Sequence, residues 1–362
     1  MTGLSVTRAP LWSLAWPVVG AVALLASLVG VVGGTVAVIV GGVVVGVVFA
    51  AVYHAEVVAH RVGEPFGTLV LAVAVTVIEV ALIVSIMLEG GPDKDALARD
   101  TVFAAVMITC GGIVGLCLLA GGVRHHVQGF QFEGALSALA VLVALTVLTL
   151  IVPNVTISAP GPTFSVAQLI FSAVVSLLLY ASFVFIQTIR HRDYFLPAER
   201  GDEEAHAAPP TDRATLVSLG LLVVSLVAVV GLAKALSPTL EGLVYRAGAP
   251  KAVVGIAIAA LVLLPEGLAA LRAARLDRLQ TSMNLALGSA LASIGLTVPA
   301  VAAVSILLDA PLQLGLNPKD SVLLALTLLV SIVTLGTGRT TVLQGIVHLS
   351  VFAAFLFYAV VP

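Results

Sequence analysis

The sequence predicts an all-α polytopic membrane protein with about eleven transmembrane helices. The 362-residue chain is 60% hydrophobic and only 10% charged, whereas soluble domains carry about 25% charged residues. The mean hydropathy is +1.17, and most apolar runs are close to the ~20 residues that a helix needs to cross a bilayer. Because lipid cannot satisfy backbone polar groups, such runs are expected to be helices.

The apolar runs define eleven expected spans along the chain. They lie at residues 11–31, 34–59, 66–89, 100–121, 134–152, 165–190, 214–238, 249–271, 281–308, 319–336 and 341–361. The longest polar stretch lies between the sixth and seventh spans and contains an acidic run and two adjacent prolines. It divides the chain into two sets of helices.

A domain organisation follows from this division. We expect an extra N-terminal helix in residues 1–33, a first five-helix repeat in 34–190, an acidic cytoplasmic linker in 191–213, and a second five-helix repeat in 214–362. If the N-terminus is cytoplasmic, eleven of the 17 Lys and Arg residues fall on the cytoplasmic side. The positive-inside rule therefore places the N-terminus inside and the C-terminus outside.

The two halves share polar and glycine positions at nearly constant offsets. At an offset of 185 residues, Glu56, Arg61, Gly63 and Pro65 match Glu241, Arg246, Gly248 and Pro250. At an offset of 180, Thr101, Thr109, Gly115 and Leu116 match Thr281, Ser289, Gly295 and Leu296. Glu79 in the first repeat matches Glu266 in the second at an offset of 187. Alternation of the spans makes the helices of these two glutamates run in opposite directions, which predicts an inverted-topology repeat.

Glu79 and Glu266 are the centre of the predicted mechanism. A carboxylate at the middle of a transmembrane helix costs at least ~2.5–3.5 kcal/mol, so it needs a proton, a cation or a basic partner. No Lys or Arg lies near the middle of any expected span. A group that takes either a proton or a cation is typical of an exchanger. The alternative is a protonated glutamate that forms a hydrogen bond with a neighbouring helix.

Hydroxyl side chains near the two glutamates add oxygen atoms to a predicted cation and proton site near the bilayer midplane. Ca²⁺ takes 6–8 oxygen ligands, and Glu79 and Glu266 are the candidate metal ligands. Neither Cys nor His accompanies them, which argues against Zn²⁺ or Cu⁺. Each hydroxyl is alternatively a helix residue bonded to its own backbone. The hydroxyl candidates are Thr76, Thr109, Ser289 and Ser293.

Other polar residues in the spans are weaker candidates. Glu56 with Arg61, and Glu241 with Arg246, lie near span ends and are either interfacial ion pairs or gates. Pro265, directly before Glu266, removes a backbone hydrogen bond and can free a carbonyl toward the site.

The stretch from Glu56 to Leu82 resembles the first α-repeat of the cation/proton exchanger branch of the calcium/cation antiporter superfamily, with Arg61, Gly63, Glu64, Gly67 and Glu79 in register. The stretch from Pro265 to Ser293 resembles the second repeat. The particular residues of these stretches are most similar to those of bacterial Cha-type Ca²⁺(Na⁺/K⁺)/H⁺ antiporters. Thr76, Cys110, Leu263 and Ala292 stand where the wider family has amide side chains. The resemblance therefore implies a site that accepts Na⁺ and K⁺ as well as Ca²⁺.

These observations predict a secondary antiporter that exports Ca²⁺, with Na⁺ or K⁺ as further substrates, in exchange for H⁺ by alternating access. Two alternatives stay open, a primarily monovalent Na⁺(K⁺)/H⁺ antiporter and an uncoupled cation channel. We expect no enzymatic activity, no cofactor and no nucleic-acid partner. The expected partners are inorganic cations, protons and the lipid bilayer, and the expected location is the bacterial inner membrane. The sequence does not indicate an oligomeric state.

Overall fold

The computed structural model describes residues 9–30, 32–63, 66–87, 94–196, 210–246, 248, 250 and 252–361. Most of the predicted acidic linker, at 197–209, lies outside the described residues, as does Pro65 of the repeated motif.

The described chain is almost entirely helical. Its α-helices are α1 (Leu11–Val29), α2 (Thr35–Val62), α3 (Phe66–Met87), α4 (Leu97–Met107), α5 (Val114–His125), α6 (Phe132–Thr146), α7 (Val166–Phe185), α8 (Asp212–Arg246), α9 (Ala252–Arg275), α10 (Leu279–Leu307), α11 (Pro318–Leu335) and α12 (Val342–Val360). Three π-helical segments continue α4, α6 and α7, at Ile108–Ile113, Val147–Ile151 and Ile186–Arg190. Short 3₁₀ turns lie at Lys94–Ala96, Val152–Asn154 and Arg192–Tyr194, and two short strands are β1 (Gln128–Gly129) and β2 (Arg339–Thr340).

Within the described residues, eleven helices are long and apolar enough to cross a membrane. One of them runs from Leu97 to His125 and combines α4, a π-helical segment and α5. The prediction of an all-α polytopic membrane protein with eleven spans is therefore confirmed.

The chain forms two compact units. The first comprises Met1–Ile86 and Glu199–Leu243. In this unit α1 packs against α2, with the Trp16 ring against Gly46, which has no side chain to obstruct the approach. His54 of α2 also donates from Nε2 to the Ser13 carbonyl of α1, over 2.9 Å.

The second unit comprises Met87–Ala198 and Val244–Pro362. Here α5 packs against α12, and α10 packs against α7. The glycines that the sequence repeat matches lie at these two contacts. A Cβ atom at Gly115 would lie 3.0 Å from His348 Cβ, and one at Gly295 would lie 2.8 Å from Tyr180 Cβ. Both glycines therefore allow close packing of a helix pair.

Two pairings between connecting segments of the second unit reveal helix direction. The connection between α5 and α6 pairs with that between α11 and α12, where Gln128 of β1 lies opposite Thr340 of β2 in an antiparallel ladder. An isolated bridge joins Thr163, between α6 and α7, to Gln313, between α10 and α11. Successive connections lie at opposite ends of a helix bundle. Helix α6 therefore starts at the end of the bundle where α11 finishes, and it finishes at the end where α11 starts. These two helices, which hold the same place in the two repeats, run in opposite directions. The boundaries at residues 33, 190 and 213 stay predictions.

Candidate functional site

In the first unit, α3 carries Glu79 and Thr76 on its buried face. Glu79 is 2% exposed and Thr76 is 7% exposed, and their spacing of three residues places them on the same side of the helix. Val73 and Val77 on another face are 43% and 44% exposed. Thr76 and Glu79 therefore point into the protein, whereas the face with Val73 and Val77 is apolar, as a lipid-facing surface requires.

In the second unit, α9 carries Glu266 on a buried face. Glu266 is 8% exposed, and Val262 and Ile258, four and eight residues earlier, are also buried. Leu264 and Leu268 face outward. The helix is continuous from Ala252 to Arg275 although Pro265 lies inside it. Pro265 lacks the N–H that would bond to the carbonyl four residues earlier. Helix α9 thus loses one backbone hydrogen bond at Pro265 without breaking.

The π-helical segment Ile108–Ile113 packs directly against the Glu266 helix. A Cβ atom at Gly267 would lie 3.1 Å from the Cδ1 atom of Ile113, so the Ile113 side chain packs on the α9 backbone beside Glu266. Thr109 lies four residues before Ile113, about one turn of a π-helix, and therefore shares its face. Thr109 is fully buried, and its hydroxyl has no hydrogen-bond partner among the described residues.

Helix α10 supplies the remaining candidate hydroxyls and packs against both α9 and the π-helical segment. Ser293 is 5% exposed and Ser289 is half-buried. The second unit thus places Thr109, Glu266 and the two serines on three helical segments that contact one another. Thr76 and Glu79 lie together on α3 of the first unit.

Comparisons with known proteins agree with this arrangement of helices. The chain matches the sodium/calcium exchanger family over residues 30–189 and 217–361. The chain belongs to the sodium/calcium exchanger family. It is 49% identical to the y4hA protein of Sinorhizobium fredii, over 98% of this chain and 97% of that protein. It is 36% identical to ChaA of Escherichia coli, a sodium-potassium/proton antiporter, over 84% of this chain and 82% of ChaA.

The fold is also similar to a solved structure of YfkE, a Ca²⁺/H⁺ antiporter. The TM-score is 0.75 at 16% identity, and the match covers 97% of this chain and all of YfkE. The predicted placement in the cation/proton exchanger branch is confirmed, and the exchanger family accounts for cation antiport as the general activity.

The weaker gate candidates of this exchanger have separate environments. Arg61 at the end of α2 forms an ion pair with Asp212 in the first turn of α8, and both side chains are exposed. Glu56 is exposed, and Glu241 accepts a hydrogen bond from the Ser237 hydroxyl at 3.2 Å.

Arg246 at the end of α8 is exposed. Asp212 was not a candidate in the sequence, where it appears as one more charge of a polar linker. An acidic residue in the first turn of a helix interacts favourably with the helix dipole. This position is the signal that could have identified Asp212 as a structured residue at the start of α8.

Two further buried residues in the exchanger fold are the cysteines. Cys110 lies in the π-helical segment and Cys117 in α5, and both are free and fully buried. Among the described residues, no three His, Cys, Asp or Glu side chains come together as a metal cluster.

The sequence also missed a hydrogen bond that reaches the π-helical segment from α12. His348 donates from Nδ1 to the Cys110 carbonyl over 2.7 Å. In the sequence His348 is one of several histidines within apolar spans, and no local pattern links it to Cys110, 238 positions away.

Proposed function

We propose that this chain is a cation/proton antiporter that moves Ca²⁺, Na⁺ or K⁺ in exchange for H⁺, with Glu79 and Glu266 as the carboxylates that carry the cation or the protons. The observation that carries the proposal is the burial of one carboxyl group in the middle of each of two membrane-spanning helices. The family supports cation exchange, and the proton as counter-ion is part of the proposal.

The energetic reason for coupling is the cost of a charge inside the membrane. An ionised carboxylate at the middle of a span costs at least ~2.5–3.5 kcal/mol. A carboxylate that binds a cation or a proton is neutralised, so the loaded forms change conformation more easily than the empty form. Alternating access to a site of this kind then exchanges one ion for the other.

The choice of cation follows from the oxygen donors. Besides the two carboxylates, the candidates are hydroxyls, which are neutral and bind Ca²⁺ less strongly than charged ligands do. The sodium-potassium/proton activity named for the 36% identical relative favours monovalent substrates. We therefore propose that Na⁺ and K⁺ are substrates alongside Ca²⁺, and that a primarily Na⁺(K⁺)/H⁺ antiporter is the second candidate.

The charge balance of the cycle depends on the cation. Exchange of two protons for one Ca²⁺ is electroneutral, and so is exchange of one proton for one Na⁺. A further proton makes the exchange sensitive to voltage, by about 2.3 kcal/mol per charge per 100 mV. We place the protein in the bacterial inner membrane with a cytoplasmic N-terminus, as the distribution of Lys and Arg favours.

Everted vesicles with an imposed pH gradient test the two carboxylates. Glu79→Gln and Glu266→Gln keep side-chain volume and remove the charge, so we expect both to lose cation-dependent proton flux. Glu133→Gln, at the first turn of α6, is the control and should retain the flux. Cation/proton exchange at the normal rate in Glu79→Gln or in Glu266→Gln would refute the proposal.

A cation panel in proteoliposomes tests the substrates and the channel alternative. Proton flux is read while Ca²⁺, Na⁺, K⁺ or Mg²⁺ is added at equal concentration. We expect flux with Na⁺, K⁺ and Ca²⁺. Cation uptake that follows voltage alone and moves no protons would show a channel instead of an antiporter.

A further inference from the structure

His348 is a fully buried histidine on α12 whose ring has one defined partner. Its Nδ1 atom lies 2.7 Å from the Cys110 carbonyl oxygen. Because a carbonyl only accepts, Nδ1 carries the hydrogen. Nε2 has no hydrogen-bond partner among the described residues. The ring is therefore held through Nδ1 alone.

The accepting carbonyl belongs to the π-helical segment. Single π-turns inside α-helices are rare, and those that occur are often found at functional sites. Gly111 and Gly112 in this segment allow α12 to approach closely. A Cβ atom at Gly111 would lie 3.0 Å from Phe352 Cβ, and one at Gly112 would lie 3.2 Å from Phe352 Cε1. The imidazole of His348 thus reaches the turn from the α12 side.

The same segment contacts the Glu266 helix through Ile113. The side chain of Ile113 packs at Gly267 of α9, next to Glu266, and Thr109 shares the face of Ile113. The hydrogen bond from His348 and the contact with α9 therefore act on one turn of six residues. A change in the width of this turn moves Thr109 relative to Glu266.

We propose that His348 is a positioning residue that holds the π-helical segment so that the Thr109 hydroxyl faces the cation bound at Glu266. The proposal rests on the proposed function of Glu266. The thiol of Cys110 stands where the family resemblance expects an amide, and it supplies no oxygen ligand. Within this segment Thr109 alone has a side-chain oxygen, and its placement consequently depends on the backbone that His348 holds.

Two substitutions separate this role from simple packing. His348→Asn retains an N–H donor near the position of Nδ1, whereas His348→Gln moves the amide toward the position of Nε2. We expect His348→Gln to raise the half-saturating Na⁺ or Ca²⁺ concentration for proton flux about tenfold, the lower end for loss of a residue that orients a metal ligand. The maximal rate should change little, and His348→Asn should remain close to the unmodified protein in both quantities.

His54→Gln is the matched control. His54 is a buried histidine of α2 that, like His348, donates from one ring nitrogen to a carbonyl, that of Ser13. It lies in the other compact unit. We expect its substitution to leave the half-saturating cation concentration unchanged.

Amide hydrogen exchange of residues 108–113, measured on each purified variant, does not depend on transport. We expect faster exchange in His348→Gln and unmodified exchange in His348→Asn. Equal effects of the two His348 variants on half-saturation, or unchanged exchange in His348→Gln, would overturn the positioning role. If the unmodified protein shows no cation-driven proton flux, the proposed function is refuted instead. The amide hydrogen exchange of the variants separates the two failures, because it does not depend on transport.

Discussion

Replacement of Gly345 by alanine tests how closely α12 packs against α5, the contact that carries His348 to the π-helical segment. A Cβ atom at Gly345 would lie 2.5 Å from the backbone nitrogen of Leu119, 2.9 Å from its Cα atom and 3.0 Å from the Gly115 oxygen. All three are backbone atoms of a regular helix, so no side-chain rotation relieves the overlap.

The expected cost follows from the displacement. Ordinary van der Waals contact begins at 3.4 Å, so α12 would have to move away from α5 by about 0.9 Å at this point. Overpacking of a close-packed interior typically costs about 1–3 kcal/mol. We expect the upper end, about 3 kcal/mol, because the backbone of α5 has hydrogen bonds that resist its displacement.

Thermal unfolding in detergent, followed by loss of the monodisperse size-exclusion peak, measures the effect. Gly220→Ala in α8 is the control, because a Cβ atom there would meet no atom within 4 Å. Alanine is the better helix former by about 0.5–1 kcal/mol, so the control should unfold at the same temperature or slightly higher. A Gly345→Ala protein that unfolds at or above the temperature of the unmodified protein would refute the close packing of α5 and α12.

Three further outcomes are expected. Gln128→Leu removes two hydrogen bonds, to the Ala274 carbonyl and to the Asp277 carboxylate. The carbonyl keeps the bond from the Asp277 N–H, and thermal unfolding should show a loss of about 1–3 kcal/mol for the two lost bonds. Arg61→Ala breaks an exposed ion pair with Asp212, so the stability measured in the same way should change by less than about 1 kcal/mol. Cys110 and Cys117 are fully buried, so a membrane-impermeable maleimide should label neither in the folded protein and both after denaturation. Rapid labelling without denaturant would contradict their burial.

The local sequence contained enough information for the spans. In lipid each helix satisfies its own backbone, so length and apolar composition alone indicate where a span lies. The eleven expected spans correspond to eleven helices in the described part of the chain. The burial of Glu79 and Glu266 was equally predictable, because a carboxyl group in such a run has to face away from lipid. The sequence repeat also matched Gly115 with Gly295, and the structure shows that both lie at close helix contacts.

Interactions between distant residues depended on the tertiary structure. The π-helical turn at Ile108–Ile113 has no periodicity that separates it from an α-helix in the sequence, and only its packing between α9 and α12 reveals its place beside Glu266. His348 reaches Cys110 across 238 residues. Composition and spacing thus determined the membrane helices and the two carboxylates, since these follow from each segment's own contact with lipid. Which groups surround the carboxylate of Glu266 was decided by helix packing, which brings together residues that no local pattern connects.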